Sequence, residues 1–166
     1  MRKPKPDLVG PDQESVWDYP RPPGLERTHS RIVIELNGVV IVDTTEAYRV
    51  LETSHPPVYY LPPSAFPAGC LKVSRYRGSY CEFKGVANYL TVTAGERKEV
   101  GAAWSYPEPS PGFEPIAGYV AVYPDRMDRC LVDGELVGPQ PGGYYGGWVT
   151  SKVAGPFKGG PGSLGW

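Results

Sequence analysis

Short apolar runs that alternate with polar residues, separated by turn-forming residues, make up the middle of the chain. Two β-branched runs, 32–36 and 39–42, flank Asn37 and Gly38. A type I′ turn needs a positive φ at both central residues, which Asn and Gly adopt readily, so this segment predicts a β-hairpin. Asp133 and Gly134, between the runs 130–132 and 135–137, predict a second hairpin for the same reason.

Other short strands are predicted where apolar or aromatic alternation is bounded by Pro or Gly. These segments are 58–61, 70–74, 80–83, 86–93, 99–106 and 118–123. The segment 44–51 begins with Thr44, a good N-cap, and predicts one or two helical turns that end before His55-Pro56-Pro57. Strands this short, with this many turns, predict an all-β, mainly antiparallel fold of two packed small sheets with one short helix.

Gly and Pro divide the chain into a central domain and two extended arms. The chain has 21 Gly and 20 Pro among 166 residues, and its 40% of hydrophobic residues is enough for a core. We expect a Pro-rich N-terminal arm over 1–28, a β core over 29–125, and over 126–166 a hairpin and a Gly/Pro/aromatic arm packed on the core. The aromatic residues of the arms indicate docking, on the same domain or across a homodimer.

Charge and cysteine content exclude several classes of function. The net charge is −1 without a basic stripe, so no nucleic-acid partner is expected. No apolar run could span a bilayer and no secretory signal is visible, which predicts a cytoplasmic protein without a membrane partner. With three Cys, two His and no C-x-x-C pair, neither a disulfide framework nor a Cys/His zinc site is expected, and no cofactor is predicted.

Cys81 is the candidate nucleophile of the segment 80–85. A reactive thiolate needs a nearby cation, and Lys84, Arg75, Arg77 and His55 are the candidates. Alternation along a strand would place Cys81 and Lys84 on opposite faces. A cysteine beside phenylalanine is also explained as a small buried apolar residue.

Lys84 and Glu52 are the other candidate polar groups of a site. Lys84 precedes Gly85, where the backbone can bend, so its ammonium group is interpreted as facing a ligand anion or carbonyl, or as a surface charge at a strand end. Glu52 and His55 are interpreted as an acid–base pair or as the solvated end of the predicted helix. The string F-K-G recurs at 83–85 and 157–159, which we interpret as local chemistry used twice rather than as a repeat.

Aromatic residues on the predicted strands are candidate walls of a ligand pocket. Trp104 and Tyr106 share a strand face beside Ala102, which suits a pocket wall, an aromatic cage or core packing. Tyr60 and Tyr89 are the further candidates for contacts with a ligand.

Several strings in a fixed order resemble the domain of unknown function 427 family, sometimes labelled nucleotidyltransferase-like. They lie at 31–44, 50–52, 57–62, 81–89 (C-x-F-K-G-x-A-x-Y), 103–107 (A-W-x-Y-P) and 116–121. The resemblance covers about 29–125 and implies a compact β-tent fold, similar to methionine sulfoxide reductase B, the Rab-binding Mss-four-like proteins and the thalidomide-binding domain of cereblon. The zinc that many of these folds hold between two C-x-x-C pairs does not carry over, and no phosphate loop supports nucleotidyl transfer.

Three hypotheses about function follow. The first is a small-molecule-binding domain or enzyme with a site between sheets, where Tyr60, Tyr89, Trp104 and Tyr106 form the walls and Lys84, Glu52 and Cys81 are the polar groups. The second is a structural or oligomerisation module that uses its aromatic arms. The third is a thiol-dependent redox enzyme that uses Cys81.

Overall fold

The computed structural model describes residues 3–74 and 79–166, and the predicted all-β class is confirmed. Four 3₁₀ helices, Val16–Asp18, Pro63–Ala65, Glu114–Ile116 and Pro124–Arg126, are the helical elements of this part of the chain. The strands are β1 (Glu14–Ser15), β2 (Gly24–Thr28), β3 (Ile32–Leu36), β4 (Val39–Thr44), β5 (Ala47–Leu51), β6 (Val58–Tyr60), β7 (Leu71–Val73), β8 (Tyr80–Cys81), β9 (Gly85–Val86), β10 (Asn88–Ala94), β11 (Arg97–Ser105), β12 (Val120–Val122), β13 (Arg129–Val132), β14 (Glu135–Leu136), β15 (Gly138–Pro139), β16 (Trp148–Val149) and β17 (Val153–Ala154).

Three larger antiparallel sheets, rather than the expected two, form the body of the protein. Their strand orders are β12-β11-β10-β7, β14-β13-β3-β4 and β2-β5-β6. Leu61 and Val120 exchange two backbone hydrogen bonds of 2.8 Å, which join the end of β6 to β12 and so connect two of these sheets. Two-stranded pairs β1-β17, β15-β16 and β8-β9 lie outside them.

Both predicted hairpins are present with the expected turn geometry. Asn37 and Gly38 have φ of 55° and 73°, and Asp133 and Gly134 have φ of 48° and 82°. The first turn joins β3 to β4 and the second joins β13 to β14, all within one four-stranded sheet. The left-handed backbone that Asn, Asp and Gly tolerate therefore sets the register of this sheet.

The predicted helix over 44–51 is wrong, because Ala47–Leu51 is the central strand of the three-stranded sheet. It pairs with β2 on one side and β6 on the other, so its backbone groups are satisfied by neighbouring strands. The Thr44 hydroxyl accepts a hydrogen bond from the Glu46 N–H at 3.1 Å and so closes a turn before the strand instead of capping a helix.

The strand predicted over 80–83 is interrupted. Only Tyr80 and Cys81 are extended, residues 82–84 form a turn, and the chain returns through Gly85, whose φ is 104°. The turn breaks the two-residue alternation, so the expectation that Cys81 and Lys84 face opposite ways is wrong, and both line one cavity. Arg75 and Arg77, the other cations considered for Cys81, lie outside the described residues.

Buried side chains of the described residues form three clusters: a main core, a second cluster rich in aromatic residues, and a small third cluster of Val16, Tyr19, Leu51 and Val153. Tyr59 belongs to the main core with Trp148, whereas the adjacent Tyr60 belongs to the second cluster with Trp104 and Tyr106. The alternation of β6 therefore sends neighbouring tyrosines into different clusters, and both are buried.

The two terminal segments pack on this body. Trp148 is 1% exposed and its indole N–H donates to the Val122 carbonyl at 3.1 Å. The Trp17 indole donates to the Pro156 carbonyl at 3.0 Å, and β1 pairs in parallel with β17. No helix in the described ranges is long and apolar enough to cross a membrane.

Candidate functional site

A cavity of about 340 Å³ lies beside the aromatic cluster. All seven side chains selected from the sequence line it, namely Glu52, Tyr60, Cys81, Lys84, Tyr89, Trp104 and Tyr106. They come from five separate stretches of chain, so the fold brings them together. Tyr80 and Tyr144, 74% and 75% exposed, also line the cavity and mark its solvent-facing rim.

Three aromatic rings form the deepest wall. The Trp104 indole N–H donates to the Tyr60 hydroxyl at 3.2 Å, and the two rings meet edge to face with centroids 6.5 Å apart. Tyr106 lies 6.3 Å from Tyr60. Burial raises the pKa of both tyrosine hydroxyls well above the usual range, so each stays a neutral hydrogen-bonding group at physiological pH.

The glycine-rich segment 142–147 passes directly over this wall. A Cβ added to Gly146 would lie 2.1 Å from Cη2 of Trp104, and one added to Gly147 would lie 2.6 Å from Oε1 of Gln140. Only residues without a side chain fit this close to the indole and the amide. Tyr144 and Tyr145 belong to the same segment and line the cavity. The centroids of their rings are 4.9 Å apart.

A buried hydrogen-bonded chain runs from Gln140 through His55 to Glu52. The Gln140 amide nitrogen contacts Nδ1 of His55 at 3.0 Å and donates to the Lys158 carbonyl at 2.8 Å, while its oxygen accepts from the Gly147 N–H at 3.1 Å. These two backbone partners settle which amide atom is nitrogen. Because that nitrogen only donates, Nδ1 accepts and the imidazole proton resides on Nε2, 3.4 Å from the Glu52 carboxylate.

Glu52 is charged and balanced by cations. Burial raises the pKa of its carboxyl, but the hydrogen bond from His55 and nearby positive charges, those of Lys84 and Arg21 among them, lower it below the usual value. Arg21 lies 3.5 Å away. The interpretation of Glu52 and His55 as a solvated helix end is wrong, because they follow a strand and His55 is only 8% exposed.

Two lysines reach the cavity, one from the middle of the chain and one from its C-terminal segment. The Lys84 ammonium lies 5.8 Å from the ring centre of Tyr106, and the Lys158 ammonium lies 5.7 Å from the ring centre of Tyr145. Both side chains are half-buried. Sequence reasoning selected Lys84 and missed Lys158, although the recurrence of F-K-G pointed to both.

Cys81 differs from the other two thiols in its exposure. Cys70 and Cys130 are 4% and 1% exposed in the main core, and burial raises the pKa of Cys130 to about 12. Cys81 is half-buried and lines the cavity, so the reading of this residue as a buried apolar side chain does not hold. All three cysteines are free.

Gln140 and Tyr145 were missed as site residues by sequence reasoning, together with Lys158, whereas His55 was considered as a partner of Glu52 or of Cys81. Gln140 and Tyr145 come from the C-terminal segment, which has no alternating pattern to place it. Within the described residues no three His, Cys, Asp or Glu side chains are grouped as metal ligands.

A model of the family described as Domain of unknown function (DUF427) matches residues 24–133. This stretch includes Glu52 and the wall residues, while Gln140 and Lys158 lie beyond it. No curated protein matches the sequence.

Proposed function

Since the chain belongs to the DUF427 family, whose description names no activity, we propose a function from the site itself: the cavity binds a small organic molecule with a planar ring. The observation that carries this proposal is the convergence of seven independently selected side chains on one solvent-reachable cavity.

The shape and lining of the cavity support this proposal. Ligand sites have volumes upward of roughly 300 Å³, mostly apolar or aromatic walls and a few polar groups that orient the ligand. Tyr60, Trp104 and Tyr106 supply rigid faces on which a ring can stack. The polar groups proposed to orient it are Lys84, Glu52 and Cys81.

Nuclear magnetic resonance with a library of aromatic fragments tests this proposal. The Trp104 indole N–H signal, assigned by its loss in Trp104→Phe, reports on the cavity, and the Trp148 indole in the main core serves as an internal reference. We expect some fragments at millimolar concentration to shift the Trp104 signal saturably and leave the Trp148 signal in place.

A pair of matched variants localises the binding. Tyr89 lines the cavity, whereas Tyr48 is similarly half-buried and packs on Tyr119 outside it. Tyr89→Leu should weaken fragment binding and Tyr48→Leu should not. A library from which no fragment shifts the Trp104 signal, or an equal loss in both variants, contradicts the proposal.

The alternative, an oligomerisation module, predicts that the aromatic arms join two copies of the chain. The indoles of Trp17 and Trp148 donate to carbonyls of their own chain, which favours docking on the same domain. Light scattering of the intact chain and of a chain lacking 138–166 tests the alternative. A dimer that becomes a folded monomer on deletion would support it, and an intact chain that is monomeric would remove it.

A further inference from the structure

We propose that the ligand of this cavity is an organic anion, such as an aromatic carboxylate or phosphate monoester, whose negative charge is attracted by Lys84 and Lys158. This inference rests on the proposed function, because it names the chemical class of the molecule that the cavity binds. In the part of the chain that the structure describes, two lysines, Lys84 and Lys158, and two carboxylates, Glu52 and Glu82, line the cavity.

Among the described residues, the acidic side chains of the cavity form no ion pair within 4.0 Å with its lysines, although the charge of Lys84 helps to lower the pKa of Glu52. Glu52 has partners of its own in Arg21 at 3.5 Å and His55 at 3.4 Å. Glu82 is exposed at the cavity margin. Within the described chain no Asp or Glu carboxylate lies within 4.0 Å of the Lys84 or Lys158 ammonium group, and both half-buried lysines line the cavity.

The surroundings of each ammonium group hold it in place without cancelling its charge. Lys84 lies over the Tyr106 ring and Lys158 over the Tyr145 ring, an arrangement in which a cation keeps its full charge. Lys158 donates one hydrogen bond, to the main-chain oxygen of Trp166 at 3.3 Å, and Lys84 donates none to the described residues. An ammonium group has three N–H donors, so both lysines retain donors for an oxyanion.

A glycine with a positive φ follows each lysine, although Lys84 lies in the turn 82–84 and Lys158 forms an isolated β-bridge with Gly160. Each lies in an F-K-G string, and the glycine of each has a positive φ, 104° at Gly85 and 133° at Gly159. A side chain at either glycine would be strained, and at Gly159 its Cβ would lie 1.9 Å from a backbone oxygen. The chain therefore bends twice, directly after a lysine, at the margin of one cavity, and this recurrence is what an anion site with two cations requires.

Both lysines also lie near the Glu52–His55 chain. The backbone N–H of Lys158 donates to the Ser54 carbonyl at 2.8 Å, and the backbone carbonyl of Lys158 accepts from the side-chain amide of Gln140. The anionic group of a ligand would therefore enter beside the His55 imidazole and a carboxylate that is already paired, while its ring would face Tyr60 and Trp104.

Titration with four probes of similar size and different charge tests this inference. Benzoate and phenyl phosphate are the anionic probes, benzamide is the neutral one and benzylamine the cationic one, and the Trp104 indole signal is the readout. We expect the anions to bind at least about five-fold tighter than benzamide and benzylamine to bind weakest. Raising the salt concentration from about 50 to 300 mM should weaken only the anions.

Three lysine variants remove the same charge at different places. Lys84→Gln and Lys158→Gln should each weaken anion binding roughly three- to ten-fold and leave benzamide unchanged. Lys152→Gln is the control, since Lys152 is exposed and lies on another groove. The amide region of the spectrum verifies that each variant is folded.

The outcomes separate this inference from the proposed function. Benzamide or benzylamine binding as tightly as the anions would overturn the charge inference and leave the cavity as a binding site. Equal losses in all three lysine variants would also overturn it, because the effect would then come from net charge. No binding by any probe or library fragment would contradict the proposed function, and this inference with it.

Discussion

Gly146 lies so close to Trp104 that a single methyl group tests the geometry of the cavity wall. In Gly146→Ala the new Cβ would be 2.1, 2.9 and 3.1 Å from three carbons of the indole ring. Trp104 is only 8% exposed and its N–H is bonded to Tyr60, so the ring has little freedom to retreat. The φ of Gly146 lies outside the left-handed region, so the substitution adds a steric clash without backbone strain.

Gly160→Ala supplies the matched comparison. Gly160 lies in the same C-terminal segment, also has a φ outside the left-handed region, and has open space where a Cβ would be. Replacing glycine by alanine at a compatible position raises stability by about 0.4–1 kcal/mol through the unfolded chain. This gain is common to both variants, so the difference between them isolates the steric cost.

Overpacking a rigid site costs about 1–3 kcal/mol. For a chain of this size each kcal/mol corresponds to roughly 2–4 °C in the melting temperature, so Gly146→Ala should melt about 2–12 °C below Gly160→Ala. Thermal unfolding followed by circular dichroism measures the difference, and the Trp104 indole signal shows whether the ring has moved. Equal melting temperatures with an unshifted Trp104 signal would refute the close contact between the segment 142–147 and the wall.

Three other predictions follow from burial and charge. Iodoacetamide at pH 8 should alkylate Cys81 at least about ten-fold faster than Cys70 or Cys130, because a pKa of about 12 leaves Cys130 only roughly 10⁻⁴ thiolate. Comparable rates, measured by mass spectrometry, would contradict this and remove the thiol-redox alternative. Glu52 has a lowered folded pKa, so its charge stabilises the fold above the unfolded value of 4.5 and stops doing so as pH falls through the lowered one. In urea unfolding, Glu52→Gln should therefore cost about 1 kcal/mol at pH 7 and progressively less as the pH falls below 4.5, and a difference that stays constant with pH would contradict the assignment. Trp148→Ala should cost about 3–5 kcal/mol, and a loss below 1 kcal/mol would show that the C-terminal segment is not part of the core.

The hairpin turns of this fold could be predicted from the sequence because they depend on the backbone preferences of a few adjacent residues. The turns at Asn37-Gly38 and Asp133-Gly134 follow from which residues tolerate a positive φ, and neither needs knowledge of the rest of the chain. The segment 44–51 shows the limit of this reasoning. A threonine is a common helix cap, but two flanking strands bind the backbone of this segment on both sides, and that pairing outweighs the local preference.

Some residues of the candidate site could likewise be selected from the sequence, and others could not. Aromatic side chains such as Trp104 and a lysine beside a glycine can be selected from the sequence because their chemistry is conspicuous. The contributions of Gln140 and Lys158 depend on where a segment without alternating pattern crosses the β-sheets, which is decided by long-range contacts such as the one between Gly146 and the indole. The recurrence of F-K-G was a sequence signal that connected the middle of the chain with its C-terminal segment.

A crystal structure of the protein soaked with benzoate at millimolar concentration tests the binding claim most directly. We expect the benzoate ring to stack against Trp104 or Tyr106, with the benzoate carboxylate within hydrogen-bonding distance of the Lys84 or Lys158 ammonium group. Density for the soaked molecule only elsewhere on the surface, with water alone in the cavity, would contradict it.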